Sequence, residues 1–130
     1  ESRVQGSRGV PGDWRNRPEH GGGMVFDWGI HLLDQALMMT MPRKLKTVYA
    51  ELTNVTNENC DDGFRTTLIF DDGLSFYVEV TTSNFIELPL WYMLGENGTS
   101  LSTTGIATVK SLWSAIGKTE MPFRLLRAQA

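Results

Sequence analysis

A chain of 130 residues that is 41% hydrophobic and 21% charged can build one core and is too apolar for disorder. The net charge is −3 and the only basic cluster is Arg43-Lys44-Lys46, a poor footprint for nucleic acid and better read as a solvated loop. No apolar run approaches the ~18 residues that cross a bilayer, and the stretch from Glu1 to Gly6 lacks the apolar centre of a signal peptide. The expected setting is cytoplasmic, with neither membrane nor nucleic acid as partner.

The first 20 residues are rich in Gly, Arg and Pro. A short strand is expected near Arg3–Arg8, and Gly6–Asp13 reads as a loop from its turn chemistry. Gly21-Gly22-Gly23 interrupts whatever precedes it, and a helical pattern then runs from Met24 to about Met39, closed by Pro42. Gly29 within that pattern costs about 1 kcal/mol relative to Ala and so marks close approach, by a packed strand or by a ligand.

From Thr47 the period changes to two. Val48, Ala50 and Leu52 share one face; Phe64, Thr66, Leu68 and Phe70 share another, as do Leu74, Phe76, Val78 and Val80. Asp71-Asp72-Gly73 joins the last two runs as a tight hairpin. Leu90–Leu94 and Thr99–Ser102 flank Gly95-Glu96-Asn97-Gly98 as a second hairpin, and a last strand falls near Ala107–Trp113. The tail from Met121 to Arg127 has apolar residues but no room to fold.

One helix followed by five or six antiparallel strands is an α+β domain: an open, mostly antiparallel sheet with the helix packed on one face. The other face carries Tyr49, Tyr77, Arg65, Thr67, Glu79 and Thr81. That mixture suits either solvent or a subunit interface.

Few polar residues lie on the helix, yet they converge. At about 100° per residue, Asp27, His31, Asp34 and Gln35 occupy roughly a quarter of the circumference. Phe26, Ile30, Leu33 and Leu37 lie on another side, with Val25, Leu32 and Ala36 beside them. Asp27 and His31 are four residues apart, so their side chains can meet, and an Asp beside a His can fix its tautomer. That makes an acid–base pair; the plainer alternative is a solvated helix face.

Other motifs fail. Gly21-Gly22-Gly23 is not G-x-G-x-x-G and opens no nucleotide turn. His20-Gly21-Gly22-Gly23 resembles an oxyanion motif, but no G-x-S-x-G elbow accompanies it. A metal site on Asp27 and His31 could add only His20 and Asp34, and none is expected. The single cysteine, Cys60, sits in Asn57-Glu58-Asn59-Cys60-Asp61-Asp62-Gly63, read as an exposed turn, and is expected to be inert.

Gly12-Asp13-Trp14-Arg15, Gly21-Gly22-Gly23 and Asp27-x-Gly29-x-His31-x-x-Asp34 together resemble the C-terminal domain of the glucose–fructose oxidoreductase/inositol dehydrogenase/MocA family. Asn57-Glu58 with Asp61-Asp62, Phe70-Asp71-Asp72-Gly73, Asn84-Phe85-Ile86 and Gly95-Glu96-Asn97-Gly98 continue the likeness in order. The resemblance implies that residues 1–130 are the substrate-binding and oligomerisation part of a longer protein, a fragment whose N-terminal Rossmann domain would bind NAD or NADP. It implies catalysis by a Lys of that other domain with Asp27 and His31 of this one. It places Trp14, Arg15, Trp28 and Asp34 around the substrate or cofactor.

An Arg15 contact to a cofactor phosphate or sugar carboxylate stands beside the alternative of a surface salt bridge. Trp28 either packs beside the site or stacks on a sugar, and Asp34 is a helix-side hydrogen-bond partner rather than a catalytic group. The implied substrate is a sugar, polyol or related hydroxyl compound, and the implied assembly is a homo-oligomer through the sheet face. The chain alone is expected to be inactive. The competing reading is a non-catalytic sugar-sensing or oligomerisation domain of the same fold.

Overall fold

The computed structural model describes residues 2–5, 13–86, 88–95, 98–102 and 109–112. Strand β1 spans Ser2–Gln5; helix α1 spans Ile30–Thr40; strands β2 to β7 span Leu45–Thr53, Gly63–Phe70, Ser75–Thr81, Trp91–Gly95, Gly98–Ser102 and Val109–Leu112. The expected loop at Gly6–Asp13 except for Asp13, the tip residues Glu96 and Asn97, and the tail from Met121 lie outside the described residues.

The seven strands form one sheet in the order β2-β3-β4-β1-β5-β6-β7. Every pair is antiparallel except β1 with β4, which is parallel. The expected early strand therefore sits in the middle, joining a β2–β4 meander to a β5–β7 meander. Alternation places the elements but not β1, because a four-residue strand shows no preference for parallel or antiparallel neighbours.

The register of β2–β4 sorts two faces. Rows Leu52–Phe64–Val80, Ala50–Thr66–Val78 and Val48–Leu68–Phe76 point to the helix side. Rows Glu51–Arg65–Glu79 and Tyr49–Thr67–Tyr77 point away from it. The core is Phe64, Leu68 and Phe70 of β3 and Phe76, Val78 and Val80 of β4, closed by Met24, Leu32 and Ala36. Trp91 of β5 meets Phe76 edge to face, with ring centroids 6.3 Å apart. The β2 strand is different. Val48 and Leu52 face the helix side but stay exposed, because α1 packs on β4 and the turn Val25–Gly29 on β3, which leaves the edge strand uncovered.

The helix corrects the expected apolar side. The buried seam is Gly29, Leu32, Ala36 and Thr40, with Val25 and Leu33 partly covered. Phe26 and Ile30 are 67% and 57% exposed, and Leu37 is exposed as well. The seam puts Leu32 into the core and Gly29, which admits close approach, against the sheet. A Cβ on Gly29 would lie 2.8 Å from the ring of Phe64, so the packed strand, not a ligand, explains this glycine. Thr40, buried in the same seam, satisfies its hydroxyl on the carbonyl of Ala36 at 2.8 Å.

Candidate functional site

The entrance to the helix is built from three separate stretches of chain. Residues Val25–Gly29 form a π turn ahead of α1, with the Ile30 N–H donating to the Val25 carbonyl. Single π turns recur at functional sites, and this one contains Asp27, Trp28 and Gly29. Within it, the spacing that stacks residues i and i+4 in a regular helix no longer holds. Asp27 and His31 are not hydrogen-bonded to each other among the described residues. His31 is exposed, while the Asp27 side chain retains only 16% exposure.

Asp27 has another partner. Arg15 Nε donates to Asp27 Oδ2 at 2.6 Å. The same guanidinium reaches Asp13 Oδ2 at 3.2 Å through a terminal nitrogen, and its carbon lies 4.8 Å from the centroid of the Trp14 ring. Asp13 also caps the short turn Trp14–Asn16 by accepting from the Arg15 N–H at 3.3 Å. The hydrogen bond from Arg15 to Asp27 raises the guanidinium pKa despite desolvation. Desolvation pushes the Asp13 carboxyl upward, but the bonds from Arg15 outweigh it and leave it below its ordinary range.

The glycines serve this architecture. The Gly23 N–H donates to the Arg15 carbonyl at 2.9 Å, and a Cβ on Gly22 would sit 2.7 Å from that same oxygen. Gly23 has φ +106°, and a Cβ there would meet Asp61 Oδ1 at 2.1 Å. Asp61 in turn caps the helix from 36 residues away. Its carbonyl accepts from the Met24 N–H at 3.1 Å and its carboxylate from the Val25 N–H at 2.9 Å. The N–H groups of Gly22, Gly23, Met24, Val25 and Asp27 all have partners inside the chain. These five N–H groups are thus committed to the fold of the entrance.

Asp61 belongs to a loop that was expected to be an exposed turn, and here the structure corrects the expectation. The loop folds inward on Asp62, which is buried and accepts from the Thr56 N–H, the Thr56 hydroxyl at 3.0 Å and the Asn57 N–H at 3.1 Å. Burial alone would raise the Asp62 carboxyl; these bonds, led by the Thr56 N–H, carry it below its ordinary range. Asn54 Nδ2 closes the loop on the Cys60 carbonyl at 2.8 Å, and Asn57 Nδ2 reaches Asn16 Oδ1 at 3.0 Å. Cys60 is consequently buried, at 7% exposure. Its thiol pKa is pushed up by burial first, then by the charges of Asp61 and Glu19, which makes it a weak nucleophile.

The structure therefore brings Trp14, Arg15 and Asp27 together. Trp28 is exposed in the π turn itself and His31 and Asp34 on the helix that follows, and Asp34 has no hydrogen-bond or ionic partner among the described residues. Sequence reasoning gave no role to Asp13 or Asp61. For Asp13 a signal existed, an Asp two residues before the N–H it caps. For Asp61 there was none, because its partners lie far away in the chain.

The comparisons agree with this architecture. A GFO/IDH/MocA C-terminal domain model matches residues 1–100. No curated protein matches the chain. Among solved structures, an NAD-binding protein from Listeria innocua is 44% identical, with a TM-score of 0.76 over 85% of this chain and 32% of its own. The WlbA dehydrogenase from Bordetella pertussis, solved with NADH and UDP-GlcNAcA, is 22% identical, with a TM-score of 0.61 over 77% of this chain and 33% of its own. An oxidoreductase from Bacillus cereus is 21% identical, with a TM-score of 0.59 over 77% and 32%. The last two show the fold. The chain spans about a third of the length of these relatives. With the family model matching residues 1–100, which hold the helix entrance and strands β1 to β5, the chain belongs to the GFO/IDH/MocA C-terminal domain family.

Proposed function

We propose that this chain is the substrate side of an NAD(P)-dependent oxidoreductase acting on a sugar, polyol or related hydroxyl compound. The observation that carries the reading is the helix entrance. The family motif puts Asp27 in a π turn, held by a guanidinium, and leaves His31 exposed one turn further on. The NAD-binding relative at 44% identity supports the choice of cofactor class. A separate N-terminal domain would hold the cofactor, as the family resemblance implies and as the 32% coverage of the NAD-binding relative supports. When bound, a nicotinamide dinucleotide supplies the hydride acceptor.

In this reading His31 takes the hydroxyl proton as hydride leaves the same carbon, and returns it in the reverse direction. The role given to Asp27 is to orient the imidazole, through a contact that is not made in this structure, where it meets Arg15. Trp14, Trp28 and Asp34 line the approach to it, whereas Arg15 already engages two carboxylates. The outer sheet face, with Tyr49, Thr67 and Tyr77 in one row beside the Glu51–Arg65–Glu79 ion pairs, would join subunits. Replacing Tyr77 with Asp should then lower the mass seen by light scattering.

The test of function uses the longer protein with its dinucleotide domain. NAD⁺ and NADP⁺ reduction are assayed against sugars and polyols for the wild type and His31→Ala. A loss of at least roughly 100-fold in turnover with cofactor binding intact supports the assignment. Equal turnover in the mutant removes His31 from the chemistry. A folded, cofactor-binding parent that binds sugars without turning them over would favour the non-catalytic reading.

A further inference from the structure

Arg15 is held more completely than a surface salt bridge requires. Its carbonyl is tied to the Gly23 N–H, and its own N–H is tied to Asp13. Its guanidinium meets Asp27 along the Nε edge at 2.6 Å and Asp13 at 3.2 Å, and one face lies over Trp14. Only 27% of its side chain remains exposed. Exposed ion pairs add little to stability, so stability alone does not explain so many restraints on one side chain. What they do accomplish is orientation: a planar fork fixed at both ends sets the position of each carboxylate it touches.

We propose that Arg15 is a positioning residue for Asp27, clamping its carboxylate from the Trp14–Asn16 turn, rather than a ligand for substrate or cofactor. The proposal rests on the reading of Asp27 and His31 as the acid–base pair. Asp13 is the anchor of the clamp. It fixes the turn by its bond to the Arg15 N–H and steadies the guanidinium by its ion pair. Lys in place of Arg15 would keep the charge but could not bridge both carboxylates with fixed geometry.

Two measurements decide the matter. In the ¹⁵N-labelled 130-residue chain, the Arg15 Nε–H should give a resonance protected from exchange. It should survive Tyr49→Phe and vanish into fast exchange in Asp27→Ala. Persistence in Asp27→Ala overturns the clamp whatever the enzyme does. In the longer protein, Arg15→Gln should lower kcat roughly 10- to 100-fold with the KM values for substrate and cofactor within about twofold, and Arg15→Lys should not restore it. A raised KM with unchanged kcat would make Arg15 a binding residue and overturn the proposal, as would full recovery by Lys. If the wild-type parent has no turnover, the dehydrogenase reading and the positioning role fall together, while the spectrum still reports whether the clamp exists.

Discussion

Two groups of acidic residues meet at the entrance of one helix, and they are used in opposite ways. Asp61 and Asp62 accept from backbone N–H groups of Val25, Thr56 and Asn57. Asp13 and Asp27 share the side chain of Arg15. A carboxylate bonded to backbone amides is part of the fold: its removal strands donors that have no other partner. A carboxylate bonded to another side chain leaves no backbone donor stranded when that partner is exchanged, so it can be re-aimed at modest cost. The difference separates residues that build the entrance from residues that can work there.

The largest expected effect breaks the structural group. Asp62→Ala strands two backbone N–H groups and a hydroxyl, and should cost about 3 kcal/mol of stability in urea denaturation. A loss near zero would mean that water replaces the carboxylate without penalty.

The same residue sets an acid limit. Its carboxyl lies below the ordinary range in the folded chain, so between the folded value and about 3.9 the unfolded chain binds more protons. Its contribution is present above pH ~4 and is lost as pH falls through the folded value. Unfolding midpoints measured from pH 6 down to pH 2 should fall more steeply for the wild type than for Asp62→Asn. Parallel curves would show that Asp62 has the same affinity for protons in both states.

The helix cap comes next. Gly23→Ala combines a φ of +106° with a clash on Asp61, and should cost about 2 kcal/mol. Asp61→Ala loses one cap, about 1 kcal/mol. Because the clash lies between these two residues, the double mutant should be more stable than the sum of the singles predicts. Strict additivity in thermal unfolding would place Asp61 away from Gly23.

The smallest effect belongs to the other group. Arg15→Gln should change stability by less than about 1 kcal/mol, since the pair it removes is partly exposed. A loss as large as that of Asp62→Ala would erase the distinction between the two groups.

Much of the sheet was legible because its signals are local. The Phe64–Phe70 and Ser75–Thr81 alternations and the Asp71-Asp72-Gly73 turn place a hairpin without reference to anything distant. The helix was legible in extent but not in orientation. Periodicity shows which residues share a stripe; it does not show which stripe is covered. Here the covered one is the seam of Gly29, Leu32, Ala36 and Thr40, with Gly29 against the ring of Phe64, while Phe26 and Ile30 remain outside. Cys60 was misplaced for a related reason. Asn, Asp and Gly mark both exposed turns and loops that fold around their own carboxylates, and only the buried partners distinguish them.

The candidate site divides along the same line. The sequence by itself determined the α+β class, the strand and helix periods and the Asp27, His31 and Asp34 motif, since each follows from spacing within a short window. Only the tertiary structure decided that β1 joins the two meanders, that Asp61 caps the helix and that Asp27 meets Arg15 rather than His31. Those outcomes depend on contacts between residues 12 to 89 positions apart, from Arg15 with Asp27 to Ser2 with Trp91. Local spacing cannot rank such contacts, because the packing that rewards them exists only once the sheet has formed.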